Sequence, residues 1–319
     1  MSKKQWLISL AICIVGIELV SRFFMGNFAQ SALVEIIDDP ALCLRLGKNR
    51  QLTYTGWWLK TVPSDMASNA FGSREPRTQI SNTSLSTQAN TNTNTKIFFL
   101  GDSFVYGQGV DQKDSLPAQI QVLQPKLDIW NFGVPGRDFF QFSSEMELLA
   151  QQKPDVIIIN LFANDFLLPP NTCMFTSAAK WQFPIMRNCY ICRLGLFSWY
   201  MIQDGPQPSP QILEPSIIEH IDVMNNISKK NNIQFIVAFL VDQGTFQHEV
   251  PHMPNLKSIF EQRNIPIIDL SQTWISMQPF PQKYFIPNEQ HFTPIGNQVM
   301  AREYAKQLST ILTQDQKVQ

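Results

Sequence analysis

Short apolar runs alternate with longer helix-compatible segments from residue 96 to the end of the chain. The runs have the length of buried strands, and the segments between them have the length of helices, about 10–15 residues each. The predicted strands are residues 97–100, 128–132, 156–161, 233–241 and 265–270. The predicted helices are residues 115–124, 138–152, 215–230, 254–263 and a last one from 294 through 312. This alternation predicts an α/β protein of three layers (α/β/α), with a flavodoxin-like, parallel, five-stranded sheet.

The first 25 residues differ in character from the rest. Lys3 and Lys4 precede an apolar run over 6–20 that continues through 23–25. A helix of about 20 such residues crosses a bilayer core of about 30 Å. A carboxylate in hydrocarbon is costly, but Glu18 lies four residues before Arg22, so the two can pair on one helix face. We therefore expect an N-terminal transmembrane anchor.

Two alternatives to an anchor are a cleaved signal peptide and a buried helix of a soluble protein. No persuasive cleavage site with small residues follows the apolar run, which favours the anchor. The two lysines before the span predict a cytoplasmic N-terminus and an extracytoplasmic main domain, on the periplasmic or cell-surface side of a single-pass protein.

The chain is expected to divide into three parts. Residues 1–25 are the anchor, 26–95 an irregular lead-in that ends in a polar loop (78–95), and 96–319 the main domain. Within the last part, residues 167–215 interrupt the alternation of strands and helices and are rich in aromatic residues. Such an insertion indicates either a lid or binding wall, or a helical excursion that packs on the sheet.

The net charge argues against one class of partner, and the cysteine spacing argues against a zinc site. The net charge is −1 and the sequence has no basic stripe, so we expect no nucleic-acid partner. Cysteines at 43, 173, 189 and 192 would face an oxidising compartment if the domain is exported, and they allow three pairings. The Cys189-x-x-Cys192 spacing lacks the second cysteine or histidine pair of a zinc site, so structural disulfides or plain thiols are the better interpretation.

A serine stands directly after the first predicted strand. Ser103 ends the run Gly101-Asp102-Ser103, where a hydroxyl would face the crevice at the carboxyl ends of the strands. Taken alone, this tripeptide is also an ordinary turn or helix N-cap. The nucleophile interpretation therefore depends on what stands at the ends of the other strands.

Three further features fall at the same predicted edge. Gly133 closes the second strand and is followed by Pro135-Gly136, a turn that exposes backbone N–H groups. Asn164 follows the third strand and brings a side-chain amide. His291 lies just before the last helix, near Thr293, a candidate N-cap. The order of these four groups along the chain favours nucleophilic catalysis at one sheet edge.

These residues resemble the sequence blocks of the SGNH hydrolases, also called GDSL lipases or acylhydrolases. Gly101-Asp102-Ser103 is similar to the nucleophile block, Gly133 to the second block, Asn164 to the third and His291 to the last. The resemblance covers about residues 96–312. A segment spanning Asn69, Gly72 and Arg74 is more weakly similar to the Asn-x-x-Gly-x-Arg stretch of exported, membrane-anchored members.

The resemblance implies a serine esterase. Ser103 would attack an ester carbonyl after His291 takes its proton, and the resulting acyl-enzyme would be hydrolysed. The N–H groups of Ser103 and Gly133 and the amide of Asn164 would form the oxyanion hole. Relatives commonly carry Asp three residues before the histidine, whereas this chain has Asn288 there. We therefore expect Glu289 to orient His291, with Asn288 or a Ser–His dyad as the alternatives.

No metal and no cofactor is expected. His248 and His252 mimic a zinc-protease spacing, but Pro251 would break the helix needed to present both. The expected substrate is an acyl ester, either a lipid or an acylated glycan. The alternatives are an O-acyltransferase or deacetylase acting on envelope polysaccharide, which needs the same acyl-enzyme, and a non-catalytic binding module on the same fold.

Overall fold

The structure is a computed structural model of the full chain. It describes residues 2–24, 34–36, 42–54, 63–70, 72–74, 94–167, 189–192, 214–250, 253–287 and 290–315. Most of the predicted insertion (167–215) and of the polar loop (78–95) lies outside these residues. Asn288, Glu289, Cys173 and His252 lie outside them as well.

Five parallel strands form the central sheet, as the sequence predicted. Their order is β6-β5-β7-β8-β9, which is the flavodoxin-like order 2-1-3-4-5 when the five are counted along the chain. The strands are β5 (Thr95–Gly101), β6 (Leu127–Gly133), β7 (Val156–Leu161), β8 (Gln234–Phe239) and β9 (Ile267–Asp269). Each predicted strand is therefore confirmed to within a few residues.

Helices cover both faces of the sheet because its strands are apolar throughout. Every residue of β7 is buried, on whichever face its side chain lies. The described helices are α1 (Lys3–Phe24), α2 (Ser103–Tyr106), α3 (Leu116–Leu123), α4 (Phe142–Ala150), α5 (Glu214–Asn231), α6 (Gln243–Glu249), α7 (Leu256–Glu261), α8 (Ser271–Met277), α9 (Pro281–Tyr284) and α10 (Pro294–Asp315). Helix α3 packs against α10, and α4 packs against α5.

Helix α5 illustrates how the pattern specifies the packing. Its buried positions are Ile217, Ile221, Met224 and Ser228, spaced three or four residues apart on one face. The polar residues between them remain at the surface. The amphipathic spacing in the sequence therefore fixes which side of this helix meets the core.

Two small antiparallel hairpins precede the sheet, in the part for which the sequence predicted no regular structure. They are formed by β1 (Val34–Ile36) with β2 (Leu44–Leu46), and by β3 (Gln51–Tyr54) with β4 (Ser64–Ala67). Strands of three or four residues contain too few alternating positions for the pattern to be recognised. Arg74 extends this region onto the main sheet through a bridge to Asn131 at the edge strand β6.

Helix α1 is apolar and almost fully exposed. One helix of the described chain, Lys4–Phe23, is long and apolar enough to cross a membrane, and only 6% of it is buried. The Glu18–Arg22 pair predicted from the sequence forms, with 2.8 Å between Arg22 Nε and Glu18 Oε1. Cys189 and Cys192 form a disulfide, while Cys13 is free in α1.

Candidate active site

Ser103 begins a short helix directly after the central strand β5. Asp102 is the N-cap of α2, and its Oδ1 accepts a hydrogen bond from the N–H of Phe104 at 2.9 Å. The side chain of Asp102 accepts from Phe104 and not from Ser103. The N–H of Ser103 has no acceptor among the residues described. The turn thus presents both the hydroxyl and the N–H of Ser103 at the carboxyl edge of the sheet.

His291 meets Ser103 across 188 residues of sequence. The distance between His291 Nε2 and Ser103 Oγ is 2.8 Å, within hydrogen-bond reach. The ring of His291 lies 4.9 Å from that of Phe104, which stacks on Phe162 at 3.6 Å between ring centroids. The structure therefore brings together the two residues predicted from the sequence, and aromatic rings pack beside His291.

The segment bearing His291 is held at both ends. Ile286 N–H donates to the carbonyl of His291 at 2.7 Å, within a small antiparallel bridge between Phe285 and Phe292. Thr293 Oγ1 donates to the carbonyl of Lys283 at 2.8 Å and accepts from Gly296 N–H at 3.1 Å. Thr293 therefore caps the first turn of α10, as the sequence indicated.

Asn164 reaches the same edge from the neighbouring strand. It lies in a 3₁₀ turn (Ala163–Phe166) after β7, and its Nδ2 donates to Asp102 Oδ2 at 2.9 Å. Strands β5 and β7 flank the point where the strand order reverses, which is where open parallel sheets form their crevice. Ser103 and Asn164 thus border the crevice from its two sides.

Gly133 is positioned by close packing. A Cβ at this residue would lie 2.3 Å from the backbone nitrogen of Tyr106, so only glycine lets α2 approach β6. Its N–H donates to Asn131 Oδ1 at 2.9 Å. That donor is therefore occupied in this structure, and the expected oxyanion role of Gly133 stays a prediction.

Gly136 lies three residues beyond Gly133, and its N–H, unlike that of Gly133, is not occupied by Asn131. Residues 134–137 form a turn closed by Arg137 N–H and the carbonyl of Val134 at 2.9 Å, with Pro135 and Gly136 (φ 83°) as its central residues. This arrangement is typical of a type II turn, whose i+2 residue needs a positive φ. Within the described part of the chain the N–H of Gly136 has no acceptor. The sequence indicated this turn through Pro135-Gly136, but it did not mark Gly136 as a site residue.

Two buried carboxyl groups lie behind the crevice. Desolvation raises the pKa of Asp102, although hydrogen bonds from Phe104 and Asn164 and the nearby His291 act in the opposite direction. Desolvation also raises the pKa of Asp165 well above its usual value, and the charge of Asp102 adds to that effect. Asp165 Oδ2 accepts from Phe162 N–H at 2.7 Å, which holds the turn that carries Asn164.

Arg74 and Asn131 support the turn that bears Ser103, and neither is among the predicted site residues. The fully buried guanidinium of Arg74 donates to the carbonyls of Tyr106 (2.7 Å), Gly107 (2.6 Å) and Val110 (2.6 Å), all just beyond Ser103. Asn131 Nδ2 donates to the carbonyl of Val105 at 2.9 Å. The sequence pointed to Arg74 only through the Asn-x-x-Gly-x-Arg resemblance, and it gave no signal for Asn131.

The remaining histidines lie apart from this pair. His220 is half-buried beside Ser143, with 3.2 Å between Nδ1 and Oγ, and desolvation lowers its pKa. His248 is exposed near the end of α6, which stops at Glu249. Among the described residues no group of three or more histidine, cysteine or acidic side chains is arranged to hold a metal ion.

A family model agrees with this site. Residues 97–181 match the model of the GDSL-like Lipase/Acylhydrolase family. The resemblance drawn from the sequence motifs is thereby confirmed, and the matched part of the chain contains Ser103, Gly133 and Asn164. At the level of the family, residues 97–181 group with lipases and acylhydrolases, which are ester hydrolases.

Several solved structures are similar at low identity. A protein of the G-D-S-L family from Desulfitobacterium hafniense DCB-2 is 16% identical, covering 67% of this chain and 99% of its own, with a TM-score of 0.45. The psychrotrophic esterase EstA from Pseudoalteromonas sp. is 14% identical, covering 69% of this chain and 99% of its own, with a TM-score of 0.43. No curated protein matches the chain.

Proposed function

We propose that this protein is an extracytoplasmic serine esterase that cleaves carboxylic esters through an acyl-enzyme. The observation that carries the proposal is the 2.8 Å contact between Ser103 Oγ and His291 Nε2 at the crevice of a parallel sheet. A hydroxyl within hydrogen-bond reach of an imidazole is the arrangement required for nucleophilic catalysis by serine. The match to the GDSL-like lipase/acylhydrolase family supports the same reaction class.

The chemistry follows from the two side chains. His291 Nε2 takes the proton of Ser103 as Oγ attacks the ester carbonyl, and a tetrahedral oxyanion forms. The imidazolium then protonates the departing alcohol, which leaves an acyl group on Ser103. Water attacks this ester with His291 again as the base, and the carboxylic acid is released. No step requires a cofactor.

The oxyanion needs preorganised donors. The N–H of Ser103 and the second N–H of the Asn164 amide are the donors that the geometry favours, because Asp102 already fixes that amide. Gly133 remains the expected third donor, and we propose Gly136 as the alternative, because the N–H of Gly133 is engaged by Asn131. Loss of one such donor typically lowers the rate by about 100- to 1,000-fold.

A third group is expected to orient His291. Glu289, with Asn288 as the alternative, is proposed for this role on its position two residues before the histidine, and both lie outside the described residues. The charge of His291 acts against the desolvation that raises the pKa of Asp102, so this carboxyl group lies close enough to interact with the ring. A Ser–His dyad assisted by Asp102 is therefore the alternative to a complete triad.

We also propose that α1 anchors the protein in a membrane, with the catalytic part outside the cytoplasm. The length and exposure of α1 support an anchor or a signal segment, and the two N-terminal lysines support this orientation. The proposed division remains 1–25, 26–95 and 96–319, although Arg74 packs the lead-in firmly against the catalytic part.

The test is hydrolysis of short- and long-chain acyl esters by the purified protein and by Ser103→Ala. We expect the parent to release the acid and to be labelled on Ser103 by a fluorophosphonate, with both activities lost in the variant while its thermal unfolding is unchanged. Activity of Ser103→Ala within tenfold of the parent would exclude Ser103 as the nucleophile. Acyl transfer to an added sugar acceptor, in place of hydrolysis, would identify the acyltransferase alternative.

A further inference from the structure

The carboxylate of Glu18 binds two consecutive backbone amides far away in the sequence. Glu18 Oε1 accepts from Tyr190 N–H at 3.2 Å, and Oε2 accepts from Ile191 N–H at 2.9 Å. Arg22 Nε donates to the same carboxylate at 2.8 Å. All three donors therefore converge on the one carboxylate of a mostly apolar helix.

The two amides belong to a helical turn that is closed covalently, since residues 190–192 are helical and Cys189 directly precedes them. Cys189 and Cys192 form a disulfide, and Cys192 N–H donates to Cys189 Sγ at 3.2 Å. The guanidinium of Arg22 also lies over the ring of Tyr190, 5.5 Å from its centroid. Because the disulfide restricts the turn, the amides of Tyr190 and Ile191 are held in an orientation that matches a carboxylate.

This contact is where α1 meets the rest of the described chain. Of the described side chains of α1, only Glu18 and Ser21 are shielded from solvent, whereas the others are exposed. Residues three apart share one helix face, so a single narrow face is covered. A carboxylate in a membrane helix is costly unless it is paired. The three donors that bind Glu18 therefore explain how a carboxylate is tolerated at this position of α1.

We propose that the disulfide-closed turn Cys189–Cys192 is a docking site for the anchor helix, recognised through Glu18 and Arg22. The helical turn follows β7 and Asn164 along the chain, so docking fixes this part of the chain near the C-terminal end of α1, where Glu18 and Arg22 lie. The inference is independent of the esterase proposal, because it concerns the attachment of the turn and requires no activity.

Hydrogen exchange of the full-length protein in lipid nanodiscs tests the docking. In Glu18→Ala we expect the amides of Tyr190 and Ile191 to exchange at least tenfold faster than in the parent, whereas Glu18→Gln, which retains one acceptor oxygen, gives a smaller increase. Gly16→Ala is the matched control, since no atom lies within 4 Å of the added Cβ, and it should exchange at the parent rate. Alanine is more apolar than glutamate, so insertion of α1 is not weakened.

A second comparison tests whether the disulfide serves the same contact. The double variant Cys189→Ser/Cys192→Ser should also exchange faster at these amides. Adding Glu18→Ala to it should bring no further increase, because each change frees the same turn from α1. Parent-like exchange in Glu18→Ala, an equal increase in Gly16→Ala, or a multiplicative increase in the triple variant would each overturn the proposal.

Discussion

Arg74 donates a hydrogen bond of 2.6 Å to the carbonyl of Gly107, the residue that ends the helix begun by Ser103. Gly107 adopts a left-handed conformation (φ 80°), and a Cβ there would lie 2.7 Å from Ser115. The guanidinium thus satisfies carbonyls that the end of this very short helix leaves without intrahelical partners. A residue of the lead-in therefore supports the turn that begins with Ser103.

Arg74→Lys should slow catalysis without removing the substrate site. An ammonium group cannot reproduce the planar fork that reaches the carbonyls of Tyr106, Gly107 and Val110 together, so the turn that presents Ser103 loses its support. We expect kcat to fall by roughly 10- to 100-fold with little change in KM, since small misplacements of a reacting group have effects of this size. Fluorophosphonate labelling of Ser103 should slow in parallel.

The matched control is Arg263→Lys. Arg263 also bonds a carbonyl, that of Ile259, and pairs with Asp222, but it lies away from the crevice. Arg263→Lys should lower the free energy of unfolding and leave kcat at the parent value. Equal effects of the two substitutions on kcat would show that Arg74 acts only through global stability.

Asn164→Ala should reduce kcat by about 100- to 1,000-fold, because it removes one of the proposed oxyanion donors. Asn164→Asp should be worse, since it would place a carboxylate beside Asp102 and a negative charge where the oxyanion forms. Steady-state kinetics on a short-chain ester measures both. If Asn164→Ala kept kcat within threefold of the parent, the amide would have only its structural role toward Asp102.

Glu289→Gln separates a triad from a dyad. If the carboxylate orients His291, kcat should fall by orders of magnitude, because the imidazolium loses its counter-charge during attack. If Asp102 supplies that charge instead, Glu289→Gln should be nearly silent and Asn288→Asp could raise the rate. The pH–rate profiles of both variants and the parent decide between the two. An unchanged profile for Glu289→Gln leaves Ser103 and His291 as the catalytic pair.

Asp165→Asn should stabilise the protein more as the pH rises. The pKa of Asp165 is raised in the folded protein, so between its unfolded and folded pKa values the native state holds more protons, and the free energy of unfolding falls as the pH increases. Asparagine removes this penalty and can still accept from Phe162 N–H. Thermal or urea unfolding should show a growing advantage of the variant from about pH 4 toward neutrality, since an ordinary aspartate titrates near pH 3.9.

Glu147→Gln provides the control for this prediction. Glu147 is exposed on α4, so neutralising it should shift the free energy of unfolding by a small amount that varies little over the same pH range. An advantage of Asp165→Asn that stayed constant with pH would mean that Asp165 is already ionised in the folded protein.

The sequence by itself determined the sheet and the order of the site residues. Five apolar runs set the five strands, and amphipathic spacing such as Ile217, Ile221 and Met224 set the helix faces, because both signals are local and repeat along the chain. Parallel strands place their carboxyl ends at one edge, so Ser103, Asn164 and His291 could be assigned to a common crevice before any distance was known.

Only the tertiary structure decided how that crevice is supported. The carbonyls of Tyr106, Gly107 and Val110, which accept from Arg74, lie 32 to 36 residues away from it. The side-chain oxygen of Asn131 accepts from the N–H of Gly133, and Glu18 accepts from Tyr190 across 172 residues. Such contacts join single polar groups of segments that share no periodic pattern, so nothing in the local sequence marks them. They depend on how the packed elements bring buried donors to buried acceptors, because a polar group left unpaired in the interior is costly.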